Sequence, residues 1–230
     1  MQAVILAGGL GTRLRPLTET VPKPMVPVND EPFLVHQLRM LTEQGITNIV
    51  LLTGYMGEVV EDYFGDGSNF GAKLSYSQEP EPLGTGGALK LAQPLLEDSF
   101  MVLFGDSYLP VDYPEVGKTL LDSTWAGLIV AYDNSQDTDV ENNVALDEDG
   151  NVVLYQKGGG DDRLRYVESG VLAFRRQVLD LIAPDTVVSL ENEIYPQLIA
   201  AGQLGACPTE ERFYDIGTPD RLEDFRRILA

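Results

Sequence analysis

The chain begins with residues 1–24, MQAVILAGGLGTRLRPLTETVPKP, in which an apolar run leads into a glycine-rich turn. Residues 1–7 are apolar apart from Gln2, a pattern that predicts a buried β-strand. Glycine in the turn, residues 8–12, lets backbone N–H groups approach a ligand without a shielding side chain. The segment after the turn carries three cations and one acidic residue, Arg13, Arg15, Lys23 and Glu19. Free amides beside local positive charge predict a phosphate-binding turn.

Three interpretations of this turn compete. A purely structural turn between a strand and a helix needs only the glycines. A dinucleotide-binding turn needs the GxGxxG pattern, but Leu14 stands where the third glycine should be, and Asp30 lies in a turn-like PVNDEP segment instead of ending a strand. A nucleoside-triphosphatase loop needs GK followed by Ser or Thr, which does not occur here. What remains is a phosphate cradle that adds arginine and lysine side chains to the backbone donors.

Composition limits the class of protein. With 230 residues, of which 43% are hydrophobic, the chain can bury a sizeable core. Cys207 is the only cysteine, so an internal disulfide is excluded and a structural zinc site is not expected. A net charge of −20 without a basic stripe argues against a nucleic-acid partner. The first apolar run is broken at Gly8 and has no basic region before it, so we expect neither a signal peptide nor a membrane partner, and a cytoplasmic location.

Strand and helix patterns alternate along the chain. This order predicts an α/β fold: a Rossmann-like, mixed but mainly parallel sheet with helices on both faces. The predicted strands after the first are 48–53, 73–77, 100–104, 128–132, 166–171 and 204–207. The predicted helices are 33–43, 58–64, 88–96, 194–201 and a closing helix at 219–230. Residues 144–146 and 152–156 predict a small inserted β-hairpin, which follows an acidic loop at 133–143.

A second glycine cluster lies in residues 78–88, QEPEPLGTGGA. Leu83–Gly87 leads into the helix predicted at 88–96, whose N-terminal amides and flanking glycines let the backbone approach a flat ring or a phosphate. A glycine turn built only for packing is an equally good explanation of this cluster on its own.

Asp106 is the first acidic candidate. It follows residues 100–104, FMVLF, the most apolar strand in the chain, in the sequence Gly105-Asp106-Ser107. A carboxylate just beyond the carboxyl end of a central strand lies where open α/β sheets bind ligands. Its hard oxygen atoms suit Mg²⁺, although a turn former or helix cap is the simpler alternative.

Residues Gly8–Thr18 and Pro22–Pro24 resemble a family signature, GGxGTRLxPLT followed by PKP. The family is that of the sugar-1-phosphate nucleotidyltransferases, also called nucleoside-diphosphate-sugar pyrophosphorylases. Residues 213–219, FYDIGTP, are similar to a second motif of the family, W/Y-x-D-x-G-T-P. The resemblance implies transfer of a nucleoside monophosphate from a nucleoside triphosphate to a sugar 1-phosphate, with release of pyrophosphate and with Mg²⁺ as cofactor.

The resemblance also implies roles for individual residues. The implied catalytic residues are Arg13, Lys23 and Asp106, and the implied Mg²⁺ ligands are Asp106 and Asp215. The implied nucleotide contacts are Leu6, Ala7, Gly8, Gly9, Gly11, Thr12, Arg13, Gln78, Leu83, Gly84, Thr85 and Gly86. The implied sugar-phosphate contacts are Lys23, Gly105, Lys157, Glu168 and Gly170. Lys157 is followed by Gly158–Gly160 where the family often has a proline, so this stretch is also a candidate lid.

We therefore expect one domain over residues 1–230, with a nucleotide-binding part at about 1–125 and a sugar-binding part at about 126–215. Residues 81–88 and the lack of a C-terminal hexapeptide-repeat domain look most like the guanylyltransferase branch, which uses GTP with mannose 1-phosphate or D-glycero-D-manno-heptose 1-phosphate. Thymidylyl, cytidylyl or uridylyl transfer to glucose 1-phosphate and uridylyl transfer to N-acetylmuramate 1-phosphate remain alternatives. So does a catalytically silent module that binds sugar nucleotides. The family commonly forms dimers or tetramers, which leaves a homo-oligomer open.

Overall fold

The computed structural model describes residues 1–135 and 140–229, which form a nine-stranded sheet, two small two-stranded sheets and flanking helices. The strands are β1 (Gln2–Leu6), β2 (Pro27–Val28), β3 (Glu31–Pro32), β4 (Asn48–Thr53), β5 (Lys73–Gln78), β6 (Ser99–Phe104), β7 (Ser107–Tyr108), β8 (Gly127–Asp133), β9 (Val144–Leu146), β10 (Val152–Tyr155), β11 (Tyr166–Arg175), β12 (Leu204–Thr209) and β13 (Tyr214–Asp215). The helices are α1 (Phe33–Glu43), α2 (Gly57–Phe64), α3 (Gly84–Leu91), α4 (Tyr113–Asp122), α5 (Tyr195–Ala200) and α6 (Pro219–Ile228).

The large sheet is mixed. Strands β6, β1, β4 and β5 are neighbours in that order and run parallel, and β12 runs parallel to β8. Strand β11 joins the two groups, since it is antiparallel to both β6 and β8. Strands β9 and β10 form the antiparallel hairpin that the sequence predicts. The predicted α/β fold with a Rossmann-like parallel half is confirmed.

Both faces of the sheet are covered, which explains why its central strands are apolar without alternation. In β1, Ala3 and Ile5 belong to the core cluster that includes α1, α2 and α4. Val4, which points to the opposite face, belongs to the cluster that includes α3 and α5. No helix within residues 1–135 and 140–229 is long and apolar enough to cross a membrane.

Two helices differ from the sequence prediction. Helix α3 occupies Gly84–Leu91, so the prediction of 88–96 was wrong by four to five residues at each end. The glycine cluster lies in the first turn of α3, where neighbouring atoms leave no room for larger side chains. Pro94 limits the extension of the helix at its other end. Helix α4 was not predicted, although the side chain of Asp112 caps it by accepting from the Glu115 N–H.

The closing helix α6 begins as predicted, with Pro219 in its first turn and the Thr218 hydroxyl accepting a hydrogen bond from the Arg221 N–H. It ends at Ile228, and the predicted end at Ala230 lies outside the described residues. Of the predicted loop at 133–143, residues 136–139 also lie outside them.

Candidate active site

The carboxyl ends of β1 and β6 lie side by side and position the site. Leu6 pairs with Phe104, and the Gly105 N–H donates to the Leu6 carbonyl over 3.0 Å. A Cβ on Gly105 would lie 2.4 Å from that carbonyl oxygen, so only glycine allows this approach. The contact sets Asp106 beside the glycine-rich turn, as expected for strands that run parallel.

A cleft of about 390 Å³ opens at this edge of the sheet, and we call it the main cleft. It brings together twelve of the predicted site residues: Leu6, Ala7, Gly8, Gly9, Gly11, Thr12, Arg13, Lys23, Gly84, Thr85, Gly105 and Asp106. The other lining residues are Leu10, Pro24, Leu52, Glu79, Pro82, Ala88, Phe104 and Gly217.

The glycine-rich turn presents bare backbone to the main cleft. A Cβ on Gly9 would have no atom within 4 Å, whereas one on Gly8 would lie 2.5 Å from the Glu79 carboxylate. Gly11 has φ +60°, and its carbonyl accepts a hydrogen bond of 2.7 Å from the Thr18 hydroxyl, which fixes the turn. The turn therefore combines an open backbone surface at Gly9 with a left-handed backbone conformation at Gly11 that favours glycine.

Four ionisable side chains line the main cleft: Arg13, Lys23, Asp106 and Glu79, of which Glu79 is described below. Lys23 forms an ion pair with Asp106, and the two side chains are only 12% and 27% exposed. The Arg13 guanidinium packs against Gly217, with Nη2 3.1 Å from the position a Cβ would take there. Within residues 1–135 and 140–229, Arg13 makes no ion pair or side-chain hydrogen bond, so its guanidinium is available to an anion in the cleft.

Asp215 is adjacent to Asp106 through the backbone. Strands β7 and β13 pair, and the Ile216 N–H donates to the Asp106 carbonyl over 3.0 Å. The side chains diverge, because the Asp215 carboxylate accepts from the Gly217 N–H at 2.8 Å and from Arg221 Nη1 at 2.6 Å. Asp106 lines the main cleft and Asp215 lines a neighbouring cavity.

Carboxylate oxygens suit Mg²⁺, which usually takes one or two carboxylates together with substrate phosphates, but these two carboxylates line different cavities, so a shared ion stays a prediction. Among the described residues no group of three or more His, Cys, Asp or Glu side chains could hold a metal ion, so the other ligands would be substrate oxygen atoms and water. Lys23 pairs with Asp106, and Arg221 pairs with Asp215. A bound metal ion would therefore share each carboxylate with the cation that pairs with it.

Glu79 lies just beyond β5 and lines the cleft beside the glycine-rich turn. Its carboxylate accepts a hydrogen bond of 2.9 Å from the Leu83 N–H. Burial raises the pKa of the Glu79 carboxyl, and the Leu83 N–H opposes that shift. Gln78, the neighbour that was predicted to bind the nucleotide, does not line the main cleft; it lines an adjoining hollow, which Glu79 also borders.

The second glycine cluster divides between the cleft and the core. Gly84 and Thr85 line the cleft. The Gly86 N–H donates to the Val188 carbonyl at 2.8 Å, and a Cβ on Gly86 would lie 2.9 Å from the Val188 side chain. A Cβ on Gly84 would lie 2.6 Å from the Val188 carbonyl oxygen, so the packing explanation applies to both Gly84 and Gly86, and a ligand role for Gly84 stays a prediction.

Glu168 and Gly170 are near Asp106 but do not line the main cleft. A Cβ on Gly170, whose φ is +80°, would lie 2.5 Å from the Ser107 hydroxyl, and the Gly170 N–H donates to the Glu168 carboxylate at 3.2 Å. Burial, followed by the charge of Glu191, raises the pKa of Glu168 to about 8, while the Gly170 N–H and Lys157 oppose the shift. The folded protein therefore favours the neutral form of this carboxyl.

Glu191 connects the glycine cluster to the predicted sugar side. It is 11% exposed, and its Oε2 atom accepts hydrogen bonds from the hydroxyls of Thr85 (3.2 Å) and Ser189 (2.9 Å). Its Oε1 atom lies 3.8 Å from Nζ of Lys157, which is 73% exposed. One buried carboxylate thus links a residue of the cleft to an exposed lysine that sequence reasoning assigned to the sugar phosphate.

Residues 2–230 match the nucleotidyl transferase family. The chain belongs to this family. A mannose-1-phosphate guanylyltransferase from Mycobacterium tuberculosis is 37% identical over 236 residues, and the match covers 100% of this chain but only 64% of that protein. A D-glycero-alpha-D-manno-heptose 1-phosphate guanylyltransferase from Campylobacter jejuni is 34% identical, with 100% and 99% coverage.

Solved structures agree with these matches. The crystal structure of HddC from Yersinia pseudotuberculosis, complexed with GMP-PN, has a TM-score of 0.83 and 29% identity to this nucleotidyl transferase, with coverage of 100% of this chain and 99% of that chain. The predicted membership in the sugar-1-phosphate nucleotidyltransferases is confirmed.

Several predicted site residues of this nucleotidyl transferase lie outside the main cleft: Gln78, Leu83, Gly86, Lys157, Glu168, Gly170 and Asp215. Their roles stay predictions. Sequence reasoning missed two acidic residues that the structure adds to the site, Glu79 and Glu191. The position of Glu79, one residue after a strand that ends beside a glycine-rich segment, was a usable signal. For Glu191 the sequence offers none, because its partner Thr85 is 106 residues away.

Proposed function

We propose that this nucleotidyl transferase transfers a guanylyl group from GTP to mannose 1-phosphate or D-glycero-D-manno-heptose 1-phosphate and releases pyrophosphate. The observation that carries the choice of base is the Glu79 carboxylate, which lies in the cleft beside the glycine-rich turn. The Mycobacterium and Campylobacter relatives, named for these two sugars, support the choice of acceptor.

A carboxylate suits guanine better than it suits uracil or thymine. The Watson–Crick edge of guanine presents two adjacent donors, N1–H and the N2 amino group, which match the two oxygens of a carboxylate. Uracil and thymine present a single N3–H between two carbonyl oxygens, and a carboxylate repels both oxygens. One oxygen of Glu79 is already fixed by the Leu83 N–H, so the carboxylate is held in position to read the base.

The chemistry needs charge compensation more than a base. The attacking oxygen of the sugar phosphate is ionised at neutral pH, so the protein has to bring two anions together in line. Arg13 and the amides of the glycine-rich turn would stabilise the departing pyrophosphate. Lys23, held at the cleft by Asp106, would offset charge at the α-phosphate. Asp106 and Asp215 would hold Mg²⁺, which would supply positive charge to offset the negative charge of the two phosphorylated reactants.

The acceptor belongs on the other side of Asp106, where Glu168, Gly170, Lys157 and Glu191 lie. In this proposal the nucleotide-binding part is at about 1–125 and the sugar-binding part at about 126–215, as the sequence led us to expect. Since the nucleoside triphosphate is a cellular metabolite and Cys207 is a free thiol, we infer a cytoplasmic location.

Base choice is tested by measuring pyrophosphate release with four nucleoside triphosphates against mannose, heptose, glucose and N-acetylmuramate 1-phosphates. GTP is expected to give the highest kcat/KM, and Glu79→Gln is expected to lower that value by about 100-fold, because the amide keeps the Leu83 contact but places a donor against guanine. Glu81→Gln, an exposed neighbour outside the main cleft, serves as the control and should change little.

Two outcomes of that assay contradict the proposal in different ways. Faster turnover of UTP than of GTP, with no effect of Glu79→Gln, places this protein with the uridylyltransferase from Synechocystis, a relative that is 30% identical. Absence of pyrophosphate release with every pair, although sugar nucleotides still bind, identifies a silent binding module.

Titration of Glu168 is expected to make the KM for the sugar phosphate depend on pH. Its pKa of about 8 means that the carboxyl gains charge as the pH rises through 8, beside Glu191 and a doubly charged sugar phosphate. The KM for the sugar phosphate is therefore expected to rise by about tenfold between pH 7 and 9, and the KM for GTP to stay level. In Glu168→Gln, which stays neutral, the KM for the sugar phosphate should not change over this range. An equal rise in both proteins contradicts the assignment.

A further inference from the structure

A second cavity, of about 420 Å³, lies beside α6 and shares no described lining residue with the main cleft. Arg212, Arg221 and Arg227 border it, together with the carboxylates of Asp215 and Asp224. Only 16 residues of the whole chain are basic against a net charge of −20, so three arginines around one hollow are unusual here. We call the hollow that these five residues border the arginine cavity.

Two of its three arginines are already neutralised. Arg221, Asp224 and Arg227 are spaced by three residues along α6 and therefore share one face of that helix. Arg221 pairs with Asp215 at 2.6 Å, and Arg227 pairs with Asp224 at 3.1 Å. These pairs cancel four of the five charges and leave the charge of Arg212.

Arg212 is held by aromatic rings instead of by an acid. Its Cζ atom lies 5.5, 4.9 and 5.8 Å from the ring centroids of Tyr132, Phe213 and Tyr214. Its Nη1 atom is buried and has no hydrogen-bond partner among the described residues. A charged donor that is removed from water without an acceptor is unfavourable. Arg212 lines the cavity, so a rotation of its guanidinium would bring this buried donor to an anion bound there.

We propose that the arginine cavity binds a small phosphate-bearing anion at a site separate from the main cleft. A phosphate group has enough acceptor oxygens for Arg212 and one further arginine at once, whereas a carboxylate matches a single guanidinium fork. Arg227 is 76% exposed and can turn toward an occupant without losing buried contacts, whereas Arg221 stays paired with Asp215, whose side chain is only 15% exposed. The aromatic and apolar wall, including Phe213, Tyr214 and Ile228, accepts the organic part of a phosphate ester.

Thermal unfolding in inorganic phosphate tests the site, with potassium chloride at equal ionic strength as the reference. A ligand that binds the folded state raises Tm with its concentration. Arg212→Met is expected to bind phosphate at least about tenfold more weakly than the wild type. Arg163→Met removes the same charge from an exposed position away from the cavity and should keep the full response. Arg13→Ala, which alters the main cleft, should keep most of it.

The outcomes separate the two anion sites. Loss of the phosphate response in Arg13→Ala with retention in Arg212→Met assigns the anion to the main cleft and overturns the proposal. Because Arg212 packs on three rings, its variant could unfold, and Arg227→Met on the exposed rim then decides. That variant is expected to keep the wild-type Tm without phosphate and to bind phosphate about threefold more weakly. If Arg212→Met does not fold, an unchanged phosphate affinity in Arg227→Met overturns the proposal. The proposal is also overturned if phosphate does not raise the Tm of the wild type.

Discussion

Asp106→Asn is expected to reduce kcat by about 1,000-fold or more while the protein remains folded. Asparagine has the shape of aspartate, so the contact between Gly105 and Leu6 that positions this residue is kept. What is lost is the negative charge at the edge of the main cleft, which pairs with Lys23 and is one of two carboxylates suited to Mg²⁺. Pyrophosphate release at saturating GTP and sugar phosphate measures the effect.

The chain offers a matched control for this substitution. Asp98 is an exposed aspartate at the opposite end of β6, directly before the strand that Asp106 follows. Asp98→Asn makes the same change of charge and should leave kcat within about twofold of the wild type. Urea unfolding midpoints of both variants should match the wild type, which separates loss of chemistry from loss of fold. Near-normal turnover by Asp106→Asn refutes the assignment of this carboxylate to the metal and the α-phosphate.

The parts of the fold that the sequence predicted are those with strong local signals. Strands β1, β4 and β6 are continuous apolar runs, and each ends at or near a glycine, so their bounds were predicted to within one or two residues. Helix α3 was misplaced because its first turn consists of glycines, which local propensity assigns to a turn. The backbone that passes at Val188, about 100 residues later, stabilises that turn and leaves no trace near residue 84.

The same distinction holds for the site. The glycine-rich turn, Lys23 and Asp106 converge because the carboxyl ends of parallel strands meet at one edge, which topology makes predictable. The ion pair between Asp215 and Arg221 was not predictable in this way, since it depends on the orientation of α6 relative to β13. Glu79 was missed by one residue at the end of β5: Gln78 was predicted, and its neighbour Glu79 is the residue that lines the main cleft.

Arg13→Ala is expected to lower kcat/KM for GTP by about 100-fold, and Arg15→Ala by less than about threefold. The two arginines are both exposed, lie two positions apart and carry the same charge, so the long-range field changes equally in the two variants. Only Arg13 lines the main cleft, where its guanidinium packs against Gly217. A cation that contacts the departing pyrophosphate in the cleft contributes a few kcal/mol, about 2–3 after solvent screening, whereas one outside contributes little.

Product inhibition adds a second readout to this comparison. If Arg13 contacts the pyrophosphate, the inhibition constant of pyrophosphate should rise in Arg13→Ala by about as much as kcat/KM falls, because the same contact is lost in both measurements. Arg15→Ala should leave that constant unchanged. Equal and mild losses of kcat/KM in both variants would show that Arg13 and Arg15 act only through their summed charge. Another cation would then have to contact the pyrophosphate at the glycine-rich turn. A large loss in kcat/KM with an unchanged inhibition constant would instead place Arg13 on the reacting α-phosphate, next to Lys23.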